Sequence, residues 1–182
     1  MSSSASQNSS SQQTVTYKGR VLHTQNFSAL CASDPKVKEV ADAFKEFWKS
    51  GYHPDIGKDA ASARPKEVSD LHVRHSHVDT QNYVPENSVT DVRGKKSAWD
   101  NWKNIASVKV KYSPTSDSFL IYSVNHCRDA LVMFFIDTDA HDETERLAFA
   151  ESVIEISYSF FDQTKTTPMP LDEDLFSDKW KK

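Results

Sequence analysis

Seven consecutive apolar residues, Ala130 to Ile136 (ALVMFFI), set the strongest constraint on what this chain can become. The run is far too short to cross a bilayer, and an unbroken apolar strand belongs in mid-sheet, away from water. Just upstream, Ser118 to Val124 (SFLIYSV) reads as a second strand, and Asn125 to Asp129 between them is a turn. Turns that short demand antiparallel pairing. The meander is expected to extend further back. Ile105 to Tyr112 alternates, with Val108, Val110 and Tyr112 opposite Ser107, Lys109 and Lys111, and Pro114 to Asp117 has turn chemistry.

The secure helix lies earlier. Ser33-Asp34-Pro35 is a helix start, a capping side chain followed by a proline in the first turn. Val37, Val40, Ala41, Phe44, Phe47 and Trp48 then recur at helical spacing, and Gly51 supplies the stop. Their aromatic stripe is expected in the core. A final helix, capped by Asp142 or Thr144, is expected to run to about Asp162 and bury Leu147, Ala150, Ile154, Tyr158 and Phe161. Val15 to Phe27 has the alternation of a first strand. Tyr52 to Val68 and Thr80 to Asp100 read as long connections, the first with room for one helical turn, the second closed by Trp99 and Trp102 as anchors to the core. The sum is an α+β fold, one antiparallel sheet with helices packed on one face.

A chain of 182 residues fits one domain with tails. Residues 1–14 are Ser/Gln-rich with almost nothing to bury, so they are expected to be disordered. Residues 15–163 make the domain, and 164–182 form an acidic, aromatic tail, loose or packed as an accessory piece. No charged-then-apolar segment opens the sequence, and a soluble, cytoplasmic protein without membrane contact is expected. Cys31 and Cys127 fit no paired pattern and read as isolated thiols in a reducing compartment. The formal charge of −4 carries no global nucleic-acid signature. Locally it reverses. Between Asp91 and Lys111, Arg93, Lys95, Lys96, Lys103, Lys109 and Lys111 face only Asp91 and Asp100, a net +4 able to hold a polyanion.

The chemistry concentrates in Leu71 to Val78, LHVRHSHV. Strand alternation puts Leu71, Val73, His75 and His77 on one face and His72, Arg74, Ser76 and Val78 on the other. Either this is a half-exposed edge strand with solvated histidines, or a strand that starts in a core and ends at a site. A metal site would need a further ligand, with His126, His141 and Asp79 available, but Gln81 stands where a cupin-like pattern has glutamate. No G-x-S-x-G elbow exists for a serine hydrolase, and Cys127 beside His126 reads as a chance pair. Metal-free RNA cleavage needs a base, an acid and cations for the pentavalent phosphate. His75, His77, Arg74, Lys109, Lys111 and Tyr112 are the right types on what are expected to be adjacent strands.

Four ordered blocks then resemble one family. GYHPDIGKDA (Gly51 to Ala60) is similar to a G-x-x-P-x-x-F-G-[KR]-D-A segment, VRHSHV (Val73 to Val78) to an H-x-H strand, and PTSDSFLIYS (Pro114 to Ser123) to an R-T-S-D…L-V-Y-C hairpin. ALVMFFIDTDAHDE is similar to an apolar strand followed by a P-x-A-H turn and a C-terminal helix. Together, from about Val40 to Phe161, they resemble the YafO toxins of bacterial type II toxin–antitoxin modules. The resemblance implies a RelE-like toxin fold and a ribosome-dependent endoribonuclease that cleaves mRNA during translation without a cofactor or metal. Its partners would be a cognate antitoxin, the ribosome and mRNA. By position, His75 and His77 match the paired histidines, and Asp59, Thr115, Asp117 and Tyr122 match recurring polar positions. His75 and His77 are then expected to transfer protons or touch phosphate, supported by Lys109 and Lys111. Two positions depart from the pattern, Pro114 where arginine is expected and Phe119 where histidine is expected. Two alternatives therefore stand beside the nuclease: a binding module of the same fold whose catalytic groups have decayed, and a metal-binding H-x-H protein.

Overall fold

The computed structural model describes residues 15–63 and 65–182; residues 1–14, expected to be disordered, lie outside the described residues. Five strands form one sheet: β1 (Val21–His23), β2 (Ile56–Ala61), β3 (Val73–Val78), β4 (Phe119–Val124) and β5 (Ala130–Ile136), in the spatial order β1-β5-β4-β3-β2. The apolar run of β5 sits second from one edge, between β4 and the short β1, and β4 lies at the centre. β2, β3, β4 and β5 pair antiparallel, but β1 pairs with β5 in parallel, so the sheet is mixed. The α+β class stands with that amendment.

Helices cover both faces rather than one. On the first face lie α1 (Gln25–Ser33) and α2 (Pro35–Ser50), whose Val40, Phe44, Phe47 and Trp48 pack on Leu120, Tyr122, Val124 and Val132. The second face carries α6 (Leu147–Thr164), with Ala150, Val153, Phe160 and Phe161 against Val73, Phe119, Ile121 and Met133. A strand buried on both sides has no room for polar alternation, which is why β4 and β5 read as apolar runs. Short helices α3 (Lys66–Asp70), α4 (Lys96–Lys103) and α5 (Ala140–Thr144) fill the connections.

Local signals placed α2 closely. The Asp34 carboxylate accepts from the Lys36 amide at 2.8 Å, Pro35 opens the first turn, and Gly51 closes the helix at φ 82°, a left-handed cap that suits glycine. Elsewhere tertiary context changed the outcome. Val15 to Phe27 yields only the three residues of β1, because Thr24 caps a new helix by accepting from the Phe27 amide. Tyr52 to Val68 contains an edge strand, β2, as well as the helical turn. Ile105 to Tyr112 is not a strand: β2 occupies the place beside β3, and Ile105, Val108 and Tyr112 are exposed. In α6 the buried phase is Ala150, Val153, Ser157, Phe160 and Phe161, while Leu147 and Tyr158, expected inside, face solvent. Trp99 and Trp102 do anchor their connection, donating to the carbonyls of Thr115 and Ile56.

The segment after α6 packs onto the first core through Met169, Leu175 and Trp180. Arg128 ties it down. Its buried guanidinium donates to the carbonyls of Lys18, Trp48 and Leu175 and lies over the rings of Trp48, Tyr17 and Phe176. Burial lowers its pKa to about 10. Both cysteines are free thiols.

Candidate functional site

The site begins with a β-bulge. Between Ile56 and Asp59 the register of β2 against β3 shifts, so that Ile56 faces Val78 and Asp59 faces Ser76. Gly57 makes the bend possible, since a Cβ there would meet the Pro114 carbonyl oxygen at 2.5 Å. Beyond the bend, neighbouring residues of β2 go to opposite faces of the sheet.

Asp59 takes the α2 face. It accepts from Arg74 at 2.8 Å, the Tyr122 hydroxyl at 2.6 Å and the Ser76 hydroxyl at 3.1 Å. Arg74 also reaches Nε2 of His72 at 3.1 Å, while His72 Nδ1 lies 2.8 Å from the Met169 carbonyl. A guanidinium only donates, so Nε2 accepts and Nδ1 carries the hydrogen: His72 is a neutral, structural imidazole. Burial first, then the Arg74 charge, lowers its pKa. Three sequence candidates, Asp59, Arg74 and Tyr122, thus form one buried network that locks β2, β3 and β4 together.

The opposite face holds the imidazoles. His75 and His77 follow the expected alternation, paired across the ladder with Ile121 and Phe119. Their ring centroids are 5.4 Å apart, and His75 stacks on Phe119 at 4.5 Å. His141, from α5, contacts the same phenyl at 4.8 Å and lies 6.2 Å from His77. Three imidazoles therefore surround Phe119, the position where the family pattern led to a fourth histidine. Asp117 fixes His141 by accepting from its Nδ1 at 2.6 Å and its backbone amide at 3.0 Å. Burial raises the Asp117 carboxyl, but these hydrogen bonds outweigh it and hold the group below the ordinary carboxylate range.

His75 and His77 are neutral. Burial, the largest cause in each, takes both from the ordinary 6.5 down to about 4. Because Ile56 pairs with Val78 and Asp59 with Ser76, Lys58 falls in the bulge opposite His77, and its charge lowers both imidazoles further, as does that of His141. Lys58 has no carboxylate partner among the described residues. Nδ1 of His77 sits 2.7 Å from the Ser116 carbonyl and 2.9 Å from its amide, so that atom is engaged in either tautomer. Neither nitrogen of His75 has a hydrogen-bond partner among the described residues. The three imidazoles do not converge on one point, and among the described residues no group of three His, Cys, Asp or Glu side chains is placed to hold a metal ion.

The remaining candidates lie apart. Lys109, Lys111 and Tyr112 are exposed in the irregular segment before β4, so the expected adjacency of these lysines to the histidine strand is corrected. Lys111 lies over the Tyr112 ring at 4.9 Å. Lys96 pairs with Asp100, Lys103 with Asp79 and Asp55, and Lys95 donates to the Glu86 carbonyl. Arg93 is exposed, and its carbonyl accepts from the Thr115 amide. Thr115 also donates to Asp91, so it closes a loop rather than joining the imidazoles. Of the four family-matched polar residues, only Asp117 reaches the cluster.

Sequence reasoning left Lys58 out of the site and weighed His141 only as a further metal ligand, not for RNA cleavage. Both were nonetheless inside matched blocks, as the [KR] of G-[KR]-D and the histidine of the P-x-A-H turn. Nothing local said that β2 would bend its lysine toward β3, or that α5 would bring His141 back over β4. His75, Phe119 and His141 are among the residues lining a cleft of about 750 Å³ between α6 and the sheet. No described helix is long and apolar enough to cross a membrane.

Residues 42–162 match the family model described as Toxin YafO, type II toxin-antitoxin system. Among curated proteins and among solved structures, none matches the chain.

Proposed function

The chain belongs to the YafO family of type II toxins, which brings an antitoxin as its partner, and on that premise we propose that it is a ribosome-dependent endoribonuclease that cuts mRNA and stops translation. One observation carries the reading: His75, His77 and His141 gather around Phe119, with His75 and His141 lining an open cleft, Asp117 bonded to His141, and Lys58, without a carboxylate partner among the described residues, set opposite His77 in the bulge.

The parts suit metal-independent cleavage by the adjacent 2′-hydroxyl. The Asp117 carboxylate orients His141 through Nδ1, leaving Nε2 to accept the 2′-OH proton. Lys58 neutralises the phosphate as charge grows on its oxygens, strengthened by the apolar surroundings. His75 and His77 are neutral at pH 7, so they contact phosphate oxygens as N–H donors, and the leaving 5′ oxygen takes its proton from water, the hydroxide so formed recovering the proton that His141 took from the 2′-hydroxyl. Lys109, Lys111, Arg93 and Tyr112 form an exposed surface for the ribosomal RNA backbone, away from the chemistry.

Induced expression in a bacterium tests this. Translation should arrest, with new 5′ ends on messages only where ribosomes occupy them. Normal growth with an intact message pool, from soluble folded protein, would sink the proposal. Phe119 and Pro114, each in place of an expected phosphate-active side chain, favour a second reading, a docking module without cleavage. His75→Ala with His77→Ala separates the two, since arrest that survives both changes argues for binding alone.

A further inference from the structure

We propose that the cleft between α6 and the sheet receives a guanine base of the message, that of the nucleotide whose 2′-hydroxyl attacks, and that the Glu145 carboxylate reads its edge. The proposal rests on the nuclease reading and names what that site selects.

The cleft and the imidazole cluster are continuous. His75 and His141 line it together with Thr144 and Glu145, so a nucleotide held at the imidazoles has the cleft as the space beside it. Its volume, about 750 Å³, is that of a small-ligand site. Val68, Val73, Ile121, Ala150 and Val153 form aliphatic walls. Such walls favour the flat, weakly hydrated faces of a base and give no directional choice among the four. Leu147 at the rim is 74% exposed, an apolar surface that a seated base covers.

Selection falls to the polar groups of one turn. Glu145 closes α5 with helical dihedrals, four residues after His141, so the two side chains leave the same side of the helix about 6 Å apart along its axis. The base of the nucleotide whose ribose faces His141 is therefore the one that comes to Glu145. Asp117 is engaged by His141, and Glu143 by Arg146. Among the described residues lining the cleft, Glu145 supplies the one carboxylate. A carboxylate only accepts, and the Thr144 hydroxyl, which gives its hydrogen to the Ala140 carbonyl at 2.8 Å, also has only lone pairs to offer.

An edge made of acceptors asks for a base edge made of donors. Guanine carries two adjacent donors on its Watson–Crick edge, N1–H and the N2 amino group, a match for the two oxygens of one carboxylate. Adenine and cytosine set one amino group beside an acceptor nitrogen, and uracil sets one N–H between two carbonyls. Each of these brings a lone pair against Glu145. The phosphate stays with Lys58 and the imidazole N–H groups while the uncharged base lies beside the carboxylate, so one nucleotide satisfies both.

The test titrates the purified full-length chain with fluorescent tetranucleotides U-N-A-U that lack the 2′-hydroxyl at N and so cannot be cut there, N being G, A, C, U or inosine. The native chain should bind N = G about tenfold or more tightly than A, C or U, with inosine, which lacks the N2 amino group, in between. Glu145→Gln replaces one acceptor oxygen with a donor and should shrink the preference below about threefold. Glu151→Gln, which removes a carboxylate outside the cleft lining, should keep it. Ala150→Phe fills the cleft and should weaken all five, with thermal melting to check that each variant folds. Equal affinity for the four bases, a preference that Glu145→Gln leaves unchanged, or no binding up to millimolar oligonucleotide would each overturn the proposal. Cut sites mapped after induced expression separate it from the nuclease reading. Cutting with no enrichment of guanine 5′ of the cuts overturns the base site alone, and guanine-selective binding without any cutting overturns the nuclease alone.

Discussion

Oδ1 of Asp117 lies 2.6 Å from Nδ1 of His141 and 3.0 Å from the same residue's backbone amide, so one carboxylate fixes both the ring and the start of α5. Residue 117 belongs to the turn before β4 and residue 141 to α5, which follows β5. The contact exists only because those strands pair, and it carries the most direct test of the site.

His141→Ala should lower ribosome-dependent message cleavage by on the order of 100-fold, the usual worth of a positioned proton-transfer group. Asp117→Asn keeps an acceptor for the amide but loses the charge, and should cost roughly tenfold. Primer extension in a purified translation system measures both. Because both side chains are exposed, melting temperatures should stay within a few degrees.

Lys58→Met should reduce cleavage by about 10- to 100-fold, and Lys58→Arg should recover most of it, since the charge and not the shape matters. Lys109→Ala with Lys111→Ala should instead weaken ribosome association and flatten its salt dependence while leaving cleavage of bound message nearly intact. Equal effects on the two steps would contradict this division.

Stability should fall on acidification through His75 and His77. Each binds a proton below about pH 6.5 when unfolded but only near pH 4 when folded, mainly because it is buried. The unfolded chain therefore gains protons first as pH drops. Stability is held above pH 6.5 and declines toward pH 4, by up to about 3 kcal/mol per ring. Urea midpoints at pH 7.5 and pH 5 check the sign, and His75→Gln with His77→Gln should shrink the difference.

Asp59→Ala should destabilise by about 3–5 kcal/mol, because it strands the Arg74 guanidinium in a largely buried place and removes the acceptor for the Tyr122 hydroxyl. Loss of activity should follow the loss of fold. Full activity in the fraction that remains folded is the expected outcome, and selective inactivation of a stable variant would move Asp59 into the site.

Gly57→Ala tests the bulge. The added Cβ would sit 2.5 Å from the Pro114 oxygen and 2.8 Å from the Trp99 ring, so β2 must shift away from its neighbours. Overlap of this kind costs about 1–3 kcal/mol, and it should also displace Lys58 and lower cleavage beyond what stability explains.

Much of the fold was legible because its signals are local. Asp34, Pro35 and Gly51 bound α2, the apolar run Ala130 to Ile136 demanded a covered strand, and VRHSHV alternated as a strand should, whereas Leu71 and His72, read as its first residues, form a turn with His72 at φ 49°. The failures have one cause. In Leu147 to Thr164 two helical phases are both apolar, and the choice fell to contacts such as the Ser157 hydroxyl on Ser123 at 2.5 Å. Ile105 to Tyr112 alternates without burying anything, since β2 already holds the neighbouring ladder.

The sequence by itself determined the class, the paired histidines on one face and the family, because each is written in residue type and short spacing. Tertiary structure decided what those histidines are. Burial against Phe119 and the Ser116 backbone removed water and made His75 and His77 neutral. Strand order brought Lys58 and His141 beside them and left Lys109 and Lys111 outside, since charge proximity depends on which strands are neighbours and no local pattern encodes that.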